Sequence, residues 1–379
     1  MQPVRWFLLL HSIAALKPTG SYFTCRHTYE AVLVAELEAV GVPAAATAHP
    51  GLVRAETHDG RDQAGRVHDP AYALQALPAA RRITGETAPA LAKAVLAVVE
   101  ESAGELDALA RGALKVHVLT PDLIKGAPKP RLLERATRVG DSVEKSLRKR
   151  YRVARLSNET VTDPWVLQLL LLGPTELITS LSPCDAMDVG GCWPNWKRPG
   201  GLCASALVPR EKMWTGPMPG SAYRKLLEAL DCVHKCPGVE DDAVDLGAAP
   251  GSWTKGLLKL GCGSVVSVDR APLEPALMED PRVDLIIGDA FAYAPSKPVC
   301  WLVSDIISTP DRCVSLIDDW CGKRRFTRGA IVTMKFQGEV DFPSLQTALE
   351  TAEGHGYPAR AKHFFSNKNE VTLIIGPRR

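Results

Sequence analysis

The chain has 379 residues, 46% of them hydrophobic and 23% charged, the make-up of a soluble globular protein long enough for two or three domains. A formal net charge of +2 excludes a polybasic protein, so any nucleic-acid surface must be a local patch. The ten cysteines form no CxxC pair and several lie in apolar runs, which excludes a disulfide-rich secreted scaffold and fits a reducing cytosol or organelle matrix.

The first 29 residues hold no acid but include Arg5, Lys17 and Arg26. Residues 1–19 read as an ordinary N-terminal extension, with a targeting leader as the alternative. The longest apolar runs, Trp6 to Leu10 and Val166 to Leu172, are too short to span a bilayer. Ser21 to Cys25 reads as a strand. Glu30 to Val40 has helical apolar spacing (Ala31, Val32, Val34, Ala35, Leu37, Val40), and Gly41 can cap its end. Leu52 to Ala55 is another short strand. Residues 60–90, rich in Ala, Arg, Asp and Gly, show no clear period, and residues 20–95 are expected to form one small α+β unit.

Residues 90–110 are helical in pattern, and Leu114 to Leu119 alternates as a half-buried strand does. Residues 131–152 read as a helix with eight basic residues, Arg131, Arg135, Arg138, Lys145, Arg148, Lys149, Arg150 and Arg152, against three acids, Glu134, Asp141 and Glu144. That surplus of positive charge points to phosphate contacts; a solvated helix face is the bland alternative. Val166 to Leu172 is a fully buried strand. Residues 184–220 hold many Gly, Pro, Trp and Cys and read as a connector, although Trp193, Trp196 and Trp214 would be costly to leave in water. The run Cys232-Val233-His234-Lys235-Cys236 offers metal-ligand types without a second half, so no metal site is expected there.

From Ser221 onward strands alternate with helices, which argues for a parallel α/β sheet. The most informative stretch is Asp245-Leu246-Gly247-Ala248-Ala249-Pro250-Gly251-Ser252-Trp253. The apolar pair Ala243-Val244 precedes it, and a second apolar strand, Val265 to Val268, ends in Asp269. Strand, glycine loop, helix start, strand and acid make a seat for a nucleotide-like cofactor. Gly247 and Gly251 let backbone approach a ligand, Pro250 stiffens the loop, and Asp269 can accept hydrogen bonds from both hydroxyls of a ribose.

The later strands each carry a residue able to do chemistry. Cys300 to Val303 leads into Ser304 and Asp305, Ala330 to Met334 leads into Lys335, and Val371 to Ile375 begins at Glu370 after the turn Ser366-Asn367-Lys368-Asn369. Ligands bind at the carboxyl edge of the parallel strands in open α/β sheets. Asp305 and Lys335 reach that edge, and Glu370 joins them if the last strand runs antiparallel. Lys225, on a helix ahead of the first strand, approaches from the side. A lone lysine at a strand tip is usually a surface residue snorkelling to water; beside Asp305, Glu370 and the glycine loop it reads as functional.

These four motifs resemble the FtsJ-like RNA 2'-O-ribose methyltransferases: the Asp245–Trp253 loop, Val303-Ser304-Asp305, Thr333-Met334-Lys335 and Asn369-Glu370-Val371-Thr372. The resemblance covers residues 221–379. It implies a Rossmann-like methyltransferase sheet, S-adenosylmethionine as cofactor, and a catalytic tetrad of Lys225, Asp305, Lys335 and Glu370. The subgroup it is most similar to is the bacterial RlmM type, which methylates a cytidine ribose in large-subunit ribosomal RNA and carries a ferredoxin-like and THUMP-like RNA-binding region. The N-terminal strand, Cys25-Arg26, the Glu30–Val40 helix, the basic helix and the Val166–Leu172 strand are similar to that region. Residues 60–90 and the Cys/Trp-rich connector depart from it. The resemblance implies an α+β ferredoxin-like domain over 20–95, a THUMP-like domain over 96–183, a connector over 184–220 and the α/β methyltransferase domain over 221–379. The implied partner is RNA, with no membrane, and a monomer is favoured.

In the implied reaction a ribose 2'-hydroxyl attacks a sulfonium methyl. Lys335 is the expected base and must be neutral to act. Burial and a second cation at Lys225 favour the neutral amine, whereas Asp305 and Glu370 oppose it. Asp305 would position Lys335 and the methyl donor; Lys225 and Glu370 would position the ribose. Gly247, Pro250, Gly251 and Trp253 would wrap the methionine end of the cofactor, with Asp245, Ala248 and Ser252 among the cofactor-binding residues, Asp269 on its ribose and Asp289 near the adenine amine. For Asp289, a turn acid ahead of Ala290-Phe291 is the alternative. The rival functions are a dehydrogenase, a 2'-O-methyltransferase of transfer RNA or of an mRNA cap, and a non-catalytic RNA-binding protein on this scaffold. A dehydrogenase leaves Asp305, Lys335 and Glu370 without a task, and Ala248-Ala249-Pro250 breaks the spacing of a GxGxxG loop.

Overall fold

Ser21–Thr24 (β1) is an internal strand of its sheet and is buried throughout, its polar Ser21 and Thr24 included. The structure, a computed structural model of the chain, describes residues 20–56, 69–102, 113–120, 129–149, 152–154, 165–183, 217–230, 232–233 and 236–378. They divide into two units. One holds the described residues up to 56 and from 75 to 183; the other holds Asp69–Leu74 and everything described from 217 onward.

In the first unit, Glu30–Ala39 (α1), Ala44–Ala46 (β2), Leu52–Ala55 (β3) and Gln75–Leu77 (β4) follow β1. The four strands form an antiparallel sheet ordered β2-β3-β1-β4. Arg81–Thr84 (β5), Ala88–Glu101 (α2), Ala113–Leu119 (β6), Lys129–Leu147 (α3), Arg152–Ala154 (β7), Trp165–Gly173 (β8) and Glu176–Pro183 (β9) build a mixed sheet ordered β5-β9-β8-β6-β7. Its core joins Leu91, Val95 and Val99 of α2 to Val139 and Val143 of α3 over Leu114, Leu167, Leu169 and Leu177 of the sheet. Gln75 Nε2 donates to Gln168 Oε1 at 2.8 Å, a buried hydrogen bond from the first sheet to the second.

The α+β character expected of the N-terminal half is present, but its internal division differs. β5 pairs with β9, not with β1, so the sheets part between Leu77 and Arg81 instead of near residue 95. Ile83 is the cause: it is buried in the second core, and this single apolar position in Arg81–Thr84 was too weak a period to read. The basic helix is also shorter than expected. α3 ends at Leu147, Arg148 and Lys149 lie in the turn beyond it, and Arg152 belongs to β7.

The second unit holds Tyr223–Leu230 (α4), Asp242–Leu246 (β10), Ser252–Lys259 (α5), Ser264–Asp269 (β11), Pro275–Met278 (α6), Val283–Ile287 (β12), Val299–Ser304 (β13), Pro310–Gly322 (α7), Phe326–Lys335 (β14), Phe342–Gly354 (α8), Ala359–Lys362 (β15) and Glu370–Ile375 (β16). Its seven strands run β12-β11-β10-β13-β14-β16-β15. The first five are parallel, and β16 runs antiparallel to both β14 and β15. Strand order reverses between β10 and β13, the switch point at which open sheets of this Rossmann-like kind bind ligands. Asp69–Leu74 joins this unit: Asp69 is 2.5 Å from both Lys362 Nζ and Arg360 Nη2 of β15, and Tyr72 stacks on His363. Among the described residues no helix is long and apolar enough to cross a membrane.

Candidate active site

The edge at the switch point is built by register. Leu246 pairs with Ser304, so the Gly247 loop and Asp305 leave neighbouring strands side by side. Lys335 pairs with Glu370 across β14 and β16, which places the acid at the same edge through the antiparallel strand that the Ser366–Asn369 turn requires. Lys225 arrives from α4, buried at 6% exposure.

The structure thus brings Lys225, Asp305, Lys335 and Glu370 together. Lys225 Nζ donates to Asp305 Oδ1 and Oδ2 at 2.8 and 2.7 Å and to Glu370 Oε1 at 3.0 Å. Lys335 Nζ lies 2.9 Å from the Asp305 carbonyl oxygen and 3.0 Å from Asp305 Oδ1, with Glu370 Oε2 at 3.9 Å. An ammonium has three N–H donors. Those of Lys225 have three acceptors, all carboxylate oxygens, so this lysine locks the two acids together and does not face a substrate. Lys335 is the more exposed lysine, with a side-chain exposure of 20% against 7% for Lys225.

The loop after β10 is shaped by its glycines. Gly247 (φ 77°) and Gly251 (φ 110°) sit in left-handed conformations that disfavour side chains. A Cβ on Gly247 would lie 2.6 Å from Ile306 Cγ1, and one on Gly251 would lie 2.2 Å from Leu277 Cδ1. Both glycines therefore answer to close approach of the chain's own side chains, where the sequence suggested approach of a ligand. Pro250 follows a cis peptide bond, and Ala248 is buried.

Two other loop residues act in the core. Trp253 is 2% exposed and its Nε1 donates to the Ala222 carbonyl at 2.8 Å; Ser252 Oγ accepts from the Tyr223 amide at 2.9 Å. Both brace α5 against the start of α4. Asp289 makes the contacts of a turn acid: it accepts from the Phe291 amide and pairs with Arg270 at 2.9 Å, and these bonds hold its carboxyl below the usual range. Asp269 accepts from the amides of Ala249 and Ala271 at 3.0 and 2.9 Å. A carboxylate has about four acceptor positions, so capacity remains for hydroxyl groups.

Asp245 is the least satisfied group at this edge. It is 1% exposed. Thr254 Oγ1 donates to its Oδ2 at 2.7 Å, while its Oδ1 is buried without a hydrogen-bond partner. Burial, reinforced by the like charges of Asp305 and Asp269, raises its pKa to about 7 against the opposing bond from Thr254. An orphaned buried acceptor among three acids fits a positively charged ligand bearing an ammonium group.

The sequence missed two supporting residues. Thr333 Oγ1 donates to Asp305 Oδ1 at 2.7 Å; it stands two positions before Lys335, and the two-residue period of a strand could have flagged it. Thr254, one position beyond Trp253, carries no such signal.

The basic residues of the first unit are placed as follows. Arg131, Arg138 and Lys145 are exposed on α3 at intervals of seven residues, which lines them along one face. Ala136, Val139 and Val143 face the core. Arg135 Nη2 donates to the Glu86 carbonyl, and Arg148 pairs with Glu144 at 3.2 Å. Lys149 is exposed. Arg150 and the Arg152 side chain lie outside the described residues.

Residues 221–326 match the FtsJ-like methyltransferase family. Relatives named ribosomal RNA large subunit methyltransferase M align as well. The one from Halorhodospira halophila is 32% identical over 45% of this chain and 53% of its own length. That from Teredinibacter turnerae is 34% identical over 55% of this chain and 58% of its own, and that from Pseudomonas syringae 29% over 58% and 60%. The chain therefore spans little more than half the length of the curated relatives it matches. A solved TehB-like SAM-dependent methyltransferase from Corynebacterium glutamicum aligns at a TM-score of 0.30 and 16% identity, covering 46% of this chain and 96% of that one; the fold assignment rests on strand order, not on that likeness. With the switch-point loop, the clustered lysines and acids, and the match over 221–326, the second unit carries an FtsJ-like methyltransferase domain.

Proposed function

We propose that the chain is an S-adenosylmethionine-dependent RNA 2'-O-ribose methyltransferase acting on large-subunit ribosomal RNA. One observation carries the reading: the different hydrogen-bond accounts of Lys225 and Lys335. Lys225 has a carboxylate oxygen for each of its N–H groups. Lys335 donates one hydrogen bond, to the Asp305 carbonyl oxygen, and lies within ion-pair distance of Asp305 Oδ1. A neutral amine has two N–H donors and one lone pair, so this geometry leaves the lone pair free to take a proton at the open edge.

When bound, S-adenosylmethionine supplies a sulfonium-borne methyl group that a ribose oxygen can attack. Asp245 Oδ1 would accept from its ammonium and Asp269 from its ribose hydroxyls. Lys335 Nζ takes the 2'-hydroxyl proton as the oxygen–methyl bond forms and the methyl–sulfur bond breaks. Asp305 holds Lys335 from two sides, and Glu370 Oε2, not used by Lys225, is available to orient the ribose. Holding the reacting atoms in line supplies much of the rate. The exposed stripe of Arg131, Arg138 and Lys145 is assigned to RNA phosphates.

The test is ribose-methylation mapping of ribosomal RNA from cells with and without the protein, joined to calorimetric titration with S-adenosylmethionine and with a nicotinamide dinucleotide. One ribose methylation lost with the protein, and heat only with the methyl donor, is expected. Heat only with the dinucleotide sinks the reading.

A further inference from the structure

Glu228 lies one helical turn beyond Lys225 on α4 and is 3% exposed. No role in the chemistry above uses it. Its carboxylate grips one short segment: Oε2 accepts from the Phe365 amide at 2.7 Å, Oε1 from the Ser366 amide at 3.0 Å, and the Ser366 hydroxyl donates to Oε1 as well. That segment opens the turn between β15 and β16, and the turn delivers Glu370. The same turn is fastened at its far end. Asn369 Nδ2 donates to the carbonyls of Phe336 and Gly338, just past Lys335, and the Phe336 amide donates to the Asn369 carbonyl.

One helix therefore holds Glu370 twice, by its side chain through Lys225 and by its preceding turn through Glu228. We propose that Glu228 is a positioning residue of the tetrad: it fixes the Phe365–Ser366 turn, and with it the place of Glu370 relative to Lys225 and Lys335. The proposal rests on the methyltransferase reading of the site. The chemistry of the contact makes it sharp. Both carboxylate oxygens face donors, so Glu228→Gln keeps one acceptor and turns an amide NH2 toward a backbone N–H.

The experiment compares wild type, Glu228→Gln and Ser366→Ala, the last removing one bond and leaving both backbone bonds. For Glu228→Gln, kcat at saturating RNA falls by about tenfold or more, while KM for RNA and Kd for S-adenosylmethionine stay within about threefold. Hydrogen exchange of the Phe365 and Ser366 amides, followed without substrate, accelerates by about tenfold. Ser366→Ala shifts both readouts in the same direction by less, and it carries the comparison if Glu228→Gln does not fold. A kcat within about twofold of wild type, or a loss matched by an equal loss of cofactor binding, overturns the proposal. Unchanged amide exchange overturns it even if wild type transfers no methyl group to RNA, a result that would count against the function itself.

Discussion

Lys225 Nζ and Glu370 Oε1 meet at 3.0 Å although 145 positions separate them in the chain. The same ammonium contacts both oxygens of Asp305, so it ties a half-buried acid to a buried one, with Lys335 as the second cation beside them. Removing the Lys225 cation takes away the hydrogen bonds that join the two acids and leaves only Lys335 beside them. Lys225→Met should cost about 3–5 kcal/mol of stability, seen as a large drop in melting temperature together with loss of activity. A melting temperature within a few degrees of wild type would show that the lysine is not the anchor.

Lys335→Ala should behave in the opposite way. The side chain is more exposed than Lys225, so folding and cofactor affinity should change little while methyl transfer is abolished. A variant keeping more than about a tenth of wild-type kcat, a loss under ~1.4 kcal/mol, would remove Lys335 from the base role.

Asp245 should impose a pH dependence on stability and on cofactor binding. Its carboxyl has a folded pKa of about 7 against an ordinary value of 3.8, so the folded state binds this proton more tightly than the unfolded state. The stability it contributes is complete below pH ~4 and is lost as pH rises to about 7. Asp245→Asn should therefore melt at a higher temperature than wild type at pH 8, with the gap closing near pH 4. Binding of a cation requires the ionised acid, so affinity for S-adenosylmethionine should weaken as pH falls below 7, with proton release on binding near neutrality. Thermal melts across pH and calorimetry in buffers of different ionisation enthalpy would measure both, and a pH-independent affinity would remove Asp245 from the cofactor site.

Charge reversal of Arg131, Arg138 and Lys145 to Glu should weaken RNA binding and flatten its salt dependence. Each lost phosphate contact lowers the slope of log K against log salt by about 0.7–0.9, so the triple variant should lose about 2. An unchanged slope would return the stripe to being a solvated helix face.

The tetrad was legible because each member ends or begins an apolar strand, or sits on an amphipathic helix, and sheet topology does the rest. The glycine loop was legible as a loop, but not the reason for its glycines. The close approach of Ile306 to Gly247 and of Leu277 to Gly251 depends on partners that loop spacing does not announce. β15 could not be read at all. Its four residues are all buried, yet Arg360 and Lys362 interrupt the apolar pattern. Those cations are tolerated because Asp69, 293 positions from Lys362, supplies the opposite charge. β5 failed for a related reason, since one buried residue, Ile83, is too little signal to assign a strand to a sheet.

Asp69 also redefines where the methyltransferase domain begins. Burial alone would push its carboxyl up, but Arg360 and Lys362 outweigh that and hold it below the usual range. A fragment starting at residue 221, where the family match begins, would strip both cations of β15 of that counter-charge and Lys362 of the Pro70 and Ala73 carbonyls. The second unit is in this sense discontinuous in the chain: six residues, Asp69–Leu74, set amid the N-terminal elements belong to it. A lesion at Asp69 would then surface as a defect in the stability of a domain whose sequence motifs lie more than a hundred codons downstream.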